Sequence, residues 1–108
     1  MADRLLTTRI LVHDATGEVI MDGVSGDSQT VLSVSVCEIA GADEVFNIWV
    51  GAAGGGSPIY VYKGQSIPAN ATFIHSDKIV IDDTDELWCS MTGTGSLDVI
   101  CSYLQQDD

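Results

Sequence analysis

No stretch of ten residues in this chain repeats its apolar side chains with the 3.6-residue period of a helix, and that absence constrains the fold more than any other feature. The period that recurs is two. In residues 31–39, Leu32, Val34 and Val36 share one face and Ser33 and Ser35 the other. In 45–50, Phe46, Ile48 and Val50 lie together, with Asn47 and Trp49 opposite. Residues 59–63 are aromatic and β-branched, and 71–75 and 78–81 are short apolar runs. Residues 86–91 turn Leu87, Cys89 and Met91 inward, and 97–104 turn Leu97, Val99, Cys101 and Tyr103 inward with Asp98 and Ser102 outward. Turn-forming Gly, Asp, Ser, Asn and Pro separate these runs at 40–44, 52–58, 66–70, 82–85 and 92–95. About seven short strands at this spacing predict an all-β fold, a single antiparallel β-sandwich of the jelly-roll or immunoglobulin-like type.

The first 28 residues read differently. A short strand at 9–13, a turn at 14–17, a returning strand at 18–21 and a polar, glycine-rich stretch at 23–28 describe an extended N-terminal arm and linker, so residues 1–28 are expected to lead into a sandwich domain at 29–108. Two of the four basic residues, Arg4 and Arg9, belong to the arm. An arm of this kind adds backbone hydrogen bonds when it pairs with the sheet edge of a neighbour. Its candidate contact residues are Arg4, Arg9, Ile10 and Val12.

Sixteen acidic residues against four basic ones give a net charge of −12 on 108 residues. Such a surface repels polyphosphate and anionic lipid, so nucleic acid and membranes are excluded as expected partners, whereas a basic protein surface is favoured. The first residues lack the apolar stretch of a signal peptide, and no run reaches the length of a spanning helix, which places the expected site of synthesis and assembly in a cytoplasm. Three cysteines are an odd number and make no disulfide framework. Cys89 and Cys101 share a parity across the hairpin expected at 92–95, and a reducing compartment favours buried thiols over a bridge between them.

The residue types that carry catalysis are present without the spacings that catalysis needs. There is no Cys-x-x-Cys, His13 and His75 stand alone, Gly54-Gly55-Gly56 lacks the Lys-Ser/Thr of a phosphate loop, and no serine sits in Gly-x-Ser-x-Gly. The run 82–86 has carboxylates for calcium but not the spacing or central glycine of a helix-loop-helix site, and reads as a solvated turn. In Asn70-Ala71-Thr72 the glycosylation pattern is read as turn chemistry, with Pro68 fixing the turn and Asn70 capping it. The expectation is a protein that is not an enzyme and holds no cofactor or metal. Its remaining candidates are aromatic. Trp49 and Trp88 have the parity opposite to the core residues of their own strands, and with Tyr60 and Tyr62 they form a candidate interface. Three readings of the tryptophans stay open: contact with another subunit or with a ligand such as a sugar ring, cover for a second layer, or burial in the core.

The order of segments from residue 30 to residue 104 resembles that of small β-sandwich virion structural proteins of tailed bacteriophages. The resemblance rests on the strand ending in Ile39-Ala40-Gly41-Ala42-Asp43-Glu44 and the strand and glycine-rich loop from Phe46 to Gly56. It continues through the turn Ser66-Ile67-Pro68-Ala69-Asn70-Ala71-Thr72 and the strand Lys78-Ile79-Val80-Ile81. It ends with Asp85-Glu86-Leu87-Trp88-Cys89 and the closing segment from Gly93 to Leu104. Thr84 stands where those proteins have glycine before the aspartate. The resemblance implies a capsid decoration or cement protein on the virion surface, trimeric, with the major capsid protein or other virion proteins as partners. A tail, fibre-base or head–tail joining subunit is the neighbouring implication, and a carbohydrate-binding sandwich is the alternative of a different class.

Overall fold

The computed structural model describes residues 3–107. Nine strands follow one another: β1 (Asp3–Val12), β2 (Glu18–Asp22), β3 (Asp27–Glu38), β4 (Glu44–Gly51), β5 (Ile59–Ile67), β6 (Thr72–His75), β7 (Ile79–Asp82), β8 (Glu86–Met91) and β9 (Leu97–Asp107), with one 3-10 turn at Ala53–Gly55. They form two antiparallel sheets. Sheet A runs β1-β9-β3-β6, with β7 also paired to β3, and sheet B runs β2-β8-β4-β5. β6 and β7 are two halves of one lane. β6 lies against residues 34–37 of β3 and β7 against residues 28–31. Counting that lane once, the chain alternates between sheets at every connection except the β4–β5 hairpin. This is the topology of a jelly roll, and the expected all-β antiparallel sandwich is the fold observed.

Residues 1–28 do not form an arm apart from the sandwich. From Asp3 on, β1 is an edge strand of sheet A, paired with β9 from Asp3↔Gln106 to Val12↔Leu97, and β2 is an edge strand of sheet B, paired with β8. Met1 and Ala2 lie outside the described residues. The physical reason is that Ile10 and Val12 repeat with period two in register with Val99 and Leu97, so β1 buries an apolar stripe of its own. Thr8 Oγ1 also donates to the Ile20 carbonyl at 2.8 Å, tying the two edges together. The expected domain boundary at Gln29 falls inside β3.

The core is the space between the sheets, filled by Phe46, Ile48, Ile67, Ile81, Leu87, Met91, Leu97 and their neighbours, all buried. Phe46 meets Phe73 edge-on at 5.2 Å, and Phe73 meets Tyr62 at 4.9 Å. β-Bulges decide which face several residues take. In β3 the pairing to β9 skips Leu32, so Val31 as well as Val34 and Val36 point inward, and Leu32, expected inside, lies on the outer face. In β5 the pairing to β4 skips Val61, which sets Tyr60 beside Trp49 outside and Tyr62 beside Ile48 inside. A second irregularity follows at Gly64, whose φ of 69° favours glycine and whose N–H donates to Asn47 Oδ1 at 2.9 Å. Asn70 also has a positive φ, 59°, so its value in the turn is tolerance of the left-handed region. Its expected side-chain cap is replaced by a backbone N–H given to Glu38.

Candidate functional site

A sandwich has two outer faces, and here they are built differently. On sheet B the face is aromatic. Trp49 and Trp88 are direct cross-strand partners and stack at 5.8 Å with 15° between their planes. Tyr60 follows on β5, 5.8 Å from Trp49, with Lys63 Nζ 5.0 Å over its ring. The row covers itself: Trp49 is only 9% exposed and Trp88 is half-buried. Trp88 Nε1 donates to Glu86 Oε1 at 2.9 Å, and the same oxygen accepts Gly54 N–H at 2.9 Å, which draws the 3-10 turn onto the face.

Glu86 is one of three buried glutamates that act as clamps for turns. Glu38 accepts N–H groups from Ala40 (2.8 Å), Gly41 (2.9 Å) and Asn70 (2.9 Å), fastening the β3–β4 turn to the β5–β6 turn. These bonds, that from Asn70 first, hold its carboxyl below the usual 4.5 against the opposing effect of desolvation. Glu44 accepts Gly95 N–H at 2.9 Å, and a side chain at Gly95 would run into the carboxylate. Asp22 faces Glu86 across β2 and β8, and its carboxyl is raised above 3.8 by desolvation, then by a hydrogen bond to Glu86 and by that residue's charge.

On sheet A the outer face is aliphatic and open. Register fixes it as rows across four strands. Leu5, Leu104, Thr30 and Val80 make one row, and Arg9, Ile100, Ser35 and Ile74 another. Between them lie Thr7, Ser102 and Ser33, with the bulged Leu32 beside them. Leu5 is 75% exposed, Ile74 64% and Val80 61%. Among the paired residues of these three rows Arg9 is the one charged residue; Asp77 and Lys78, exposed in the connection between β6 and β7, stand opposite Leu32 and Ser33, and Asp98 on one side and Asp3 and Asp82 on the other stand in the flanking rows. A chain of net charge −12 therefore presents one broad aliphatic face with few charges on it.

The expected site residues are divided by this geometry. Trp49, Trp88 and Tyr60 are brought together outside sheet B. Arg9 sits on the outer face of sheet A, and Arg4, of opposite parity, is exposed at the end of β1. Val12 is wholly buried, and Ile10 packs on the core, so neither is a contact residue for a partner. Tyr62 is likewise a core residue: its hydroxyl lies 2.8 Å from His75 Nδ1 and its ring meets Phe73. The aliphatic rows were absent from the expected set, because single exposed Leu or Ile residues carry no signal until the register aligns them.

Cys89 and Cys101 are free thiols. β8 and β9 belong to opposite sheets, so the expected hairpin is a crossover. Both thiols point into the core, and burial pushes each up to about 12. In the 82–86 turn, Asp83 Oδ1 accepts Gly26 N–H at 3.2 Å, and Asp85 N–H goes to the Asp82 carbonyl. Among the described residues no three His, Cys, Asp or Glu side chains converge as metal ligands. A surface hollow of about 400 Å³ is lined by Asp43, Glu44, Val45, Ser66, Ile67, Pro68 and Thr92.

No protein-family model matches the chain. No curated protein matches it either. Solved structures do match in fold. A chain from Bacillus endospore appendages, a family of disulfide-linked pili, superposes with a TM-score of 0.55 at 12% identity, over 99% of this chain and 91% of that one. A chain of the T13 viral particle of IBDV superposes with a TM-score of 0.53 at 10% identity, over 95% of this chain; this chain spans 35% of that one. The protein is a jelly-roll β-sandwich similar to viral capsid and pilus chains, and the likeness is one of fold.

Proposed function

We propose that this chain is a virion structural protein, a decoration or cement subunit that binds a capsid shell in many copies and stabilises it. The observation that carries the reading is the aliphatic outer face of sheet A. A soluble protein that works alone has no use for such a face, whereas an assembly subunit buries it. The acidic loops at the ends of the sandwich suit basic surface on the shell protein and keep crowded copies soluble. The clamped turns give a rigid body, as a cement needs, and the order of segments shared with tailed-phage virion proteins agrees. The sugar-binding alternative loses support from the aromatic row, because the ring faces of Trp49 are spent on Trp88 and Tyr60.

The test is binding to shells built from the major capsid protein of the same genome. Saturable co-sedimentation at a fixed copy number, with a raised temperature of shell disruption, is the expected result. Purified protein that neither binds such shells nor changes their stability sinks the reading. A second reading, a pilus-type polymer subunit, is favoured by the 99% and 91% mutual coverage with the appendage chain. Fibres formed by the purified protein alone, visible in negative stain, would select it over the cement reading.

A further inference from the structure

We infer that the outer face of sheet A is a two-fold interface that pairs this chain with a second copy of itself. The inference rests on the reading of the chain as an assembly subunit and adds the partner for this face. The arrangement of rows is the argument. The aliphatic row of Leu104 and Val80 and that of Ile100 and Ile74 lie one on each side of the hydroxyl row of Ser102 and Ser33, on the same strands. A two-fold axis along the hydroxyl row exchanges the aliphatic rows. It sets Ile100 over Leu104 of the second copy and Ile74 over its Val80, with Leu32 filling the centre.

The same operation pairs the polar rims except on β1, where it sets Leu11 over Asp3 of the second copy. Asp98 comes to lie over Gln106, whose amide donates, and Asp82 over Thr72, whose hydroxyl donates. Leu5 meets the methylene stem of Arg9, leaving the guanidinium at the edge. An interface of this kind is isologous: each contact occurs twice and the assembly closes at two copies. Sheets that pack face to face align within roughly 30°, which keeps the central rows in contact despite twist.

Charge and area select the occupant. Two chains of −12 repel over most of their surfaces, and this face, where Arg9 and Lys78 accompany Asp77 and Asp98, is where like-charged copies approach at the least cost. Four strands about 4.8 Å apart and about 30 Å long give a footprint of roughly 600 Å² per copy, or about 1,200 Å² for the pair, the lower end of specific interfaces. Area alone does not set the affinity, since interfaces of one size range from micromolar to picomolar.

The experiment is sedimentation velocity on the full chain from about 1 to about 100 µM, a span that covers a weak interface at the lower end of specific sizes. It compares the native protein with Ile74→Asp, Val80→Asp and the control Ile59→Asp, Ile59 being 73% exposed on the opposite sheet's edge. Near-ultraviolet circular dichroism of the stacked Trp49–Trp88 pair reports that each variant is folded. The expected result is a concentration-dependent dimer for the native chain and Ile59→Asp, with self-association weakened about tenfold or more in the other two. A native chain that stays monomeric overturns the pairing, as does a closed trimer, or dissociation by Ile59→Asp with Ile74→Asp unaffected. Native protein that is monomeric yet binds shells removes this inference and leaves the cement reading standing. A dimer that ignores shells does the reverse.

Discussion

The two outer faces of the sandwich obey the same alternation of side chains and end in opposite states. On sheet B large flat rings meet across the strands, stack, and are roofed by a turn that Glu86 holds down. On sheet A Leu5 meets Leu104 and Arg9 meets Ile100, while Ile100, Ile74, Leu104 and Val80 also stand opposite Ser35 and Thr30, and Leu5, Ile74 and Val80 stay exposed. Exposure on this fold therefore depends on side-chain size and loop cover rather than on parity. The closed face contributes to the stability of the monomer, and the open one is the face proposed above to be covered by a second copy.

The sharpest way to break the comparison is one truncation on each face. Trp49→Ala removes a nearly buried ring and two aromatic contacts, and should cost about 3–5 kcal/mol by urea unfolding. Ile74→Ala on the open face should change the stability of dilute monomer by less than about 0.5 kcal/mol. Equal costs would mean that the aliphatic face is supported within the monomer and is not reserved for a partner.

A smaller effect tests the roof. Glu86→Ala deprives Gly54 N–H and Trp88 Nε1–H of their acceptor and should cost about 1–3 kcal/mol. The loss should come with faster amide exchange at Gly54 and stronger quenching of Trp88 fluorescence by a solvent quencher. A stable variant with a protected Gly54 would show that the turn is held by its own packing and that the clamp is incidental.

What the sequence made legible follows the same division. The period-two strands from 45 to 50, 86 to 91 and 97 to 104 were readable, with their faces, because no irregularity intervenes where they meet the core. The parity of Trp49 and Trp88, opposite to the core residues of their strands, was readable, but which of the three open readings held was not, since Trp49 is buried by stacking on Trp88 rather than between the sheets. Leu32 reads as inward, and Tyr62 reads as an interface residue beside Tyr60, because a bulge adds one residue and inverts the parity beyond it, and the extra residue is defined by the partner strand, not by its own neighbours. β1 reads as an arm because its burial is supplied by β9, 91 residues further along the chain from Arg9 to Ile100 (100 − 9). The open face is the product of four strands in register, so it exists only at the level of topology. The glutamate clamps were hidden in the general acidity, since an acid that accepts backbone N–H groups has the same letter as one in solvent.

Acidity should act on the two carboxyl systems with opposite sign. Glu38 has a lowered value, so its contribution is present above its ordinary 4.5 and is lost as pH falls through the lowered one. Glu38→Gln should therefore be less stable than the native chain at pH 7, with the gap closing on acidification below 4.5. Asp22 has a raised value, so its contribution is present in acid, below 3.8, and is lost as pH rises through the raised one. Asp22→Asn should gain stability relative to the native chain at pH 7, by relieving the charge facing Glu86, and the gain should vanish toward pH 3.8. Melting curves of both variants across pH 3–7 measure this, and parallel curves for both would show that neither carboxyl is coupled to folding.

The smallest expected effect bears most directly on the open face. Burial pushes Cys89 and Cys101 up to about 12, so at pH 8 their thiolate fraction is on the order of 10⁻⁴ and they should resist a thiol reagent until the fold opens. Cys37 is half-buried on β3, in register with the outward-facing Asp98 and Thr72, on the outer face of sheet A. One thiol in three should therefore label in the native protein, and it should be Cys37, as its loss in Cys37→Ser would verify. Its rate also reports on what covers the face: paired copies slow the reagent, so labelling should decline as protein concentration rises, and Ile74→Asp should restore the dilute rate. A labelling rate that ignores concentration in both proteins would show that sheet A stays open, and the difference between the two faces would then lie in their packing alone.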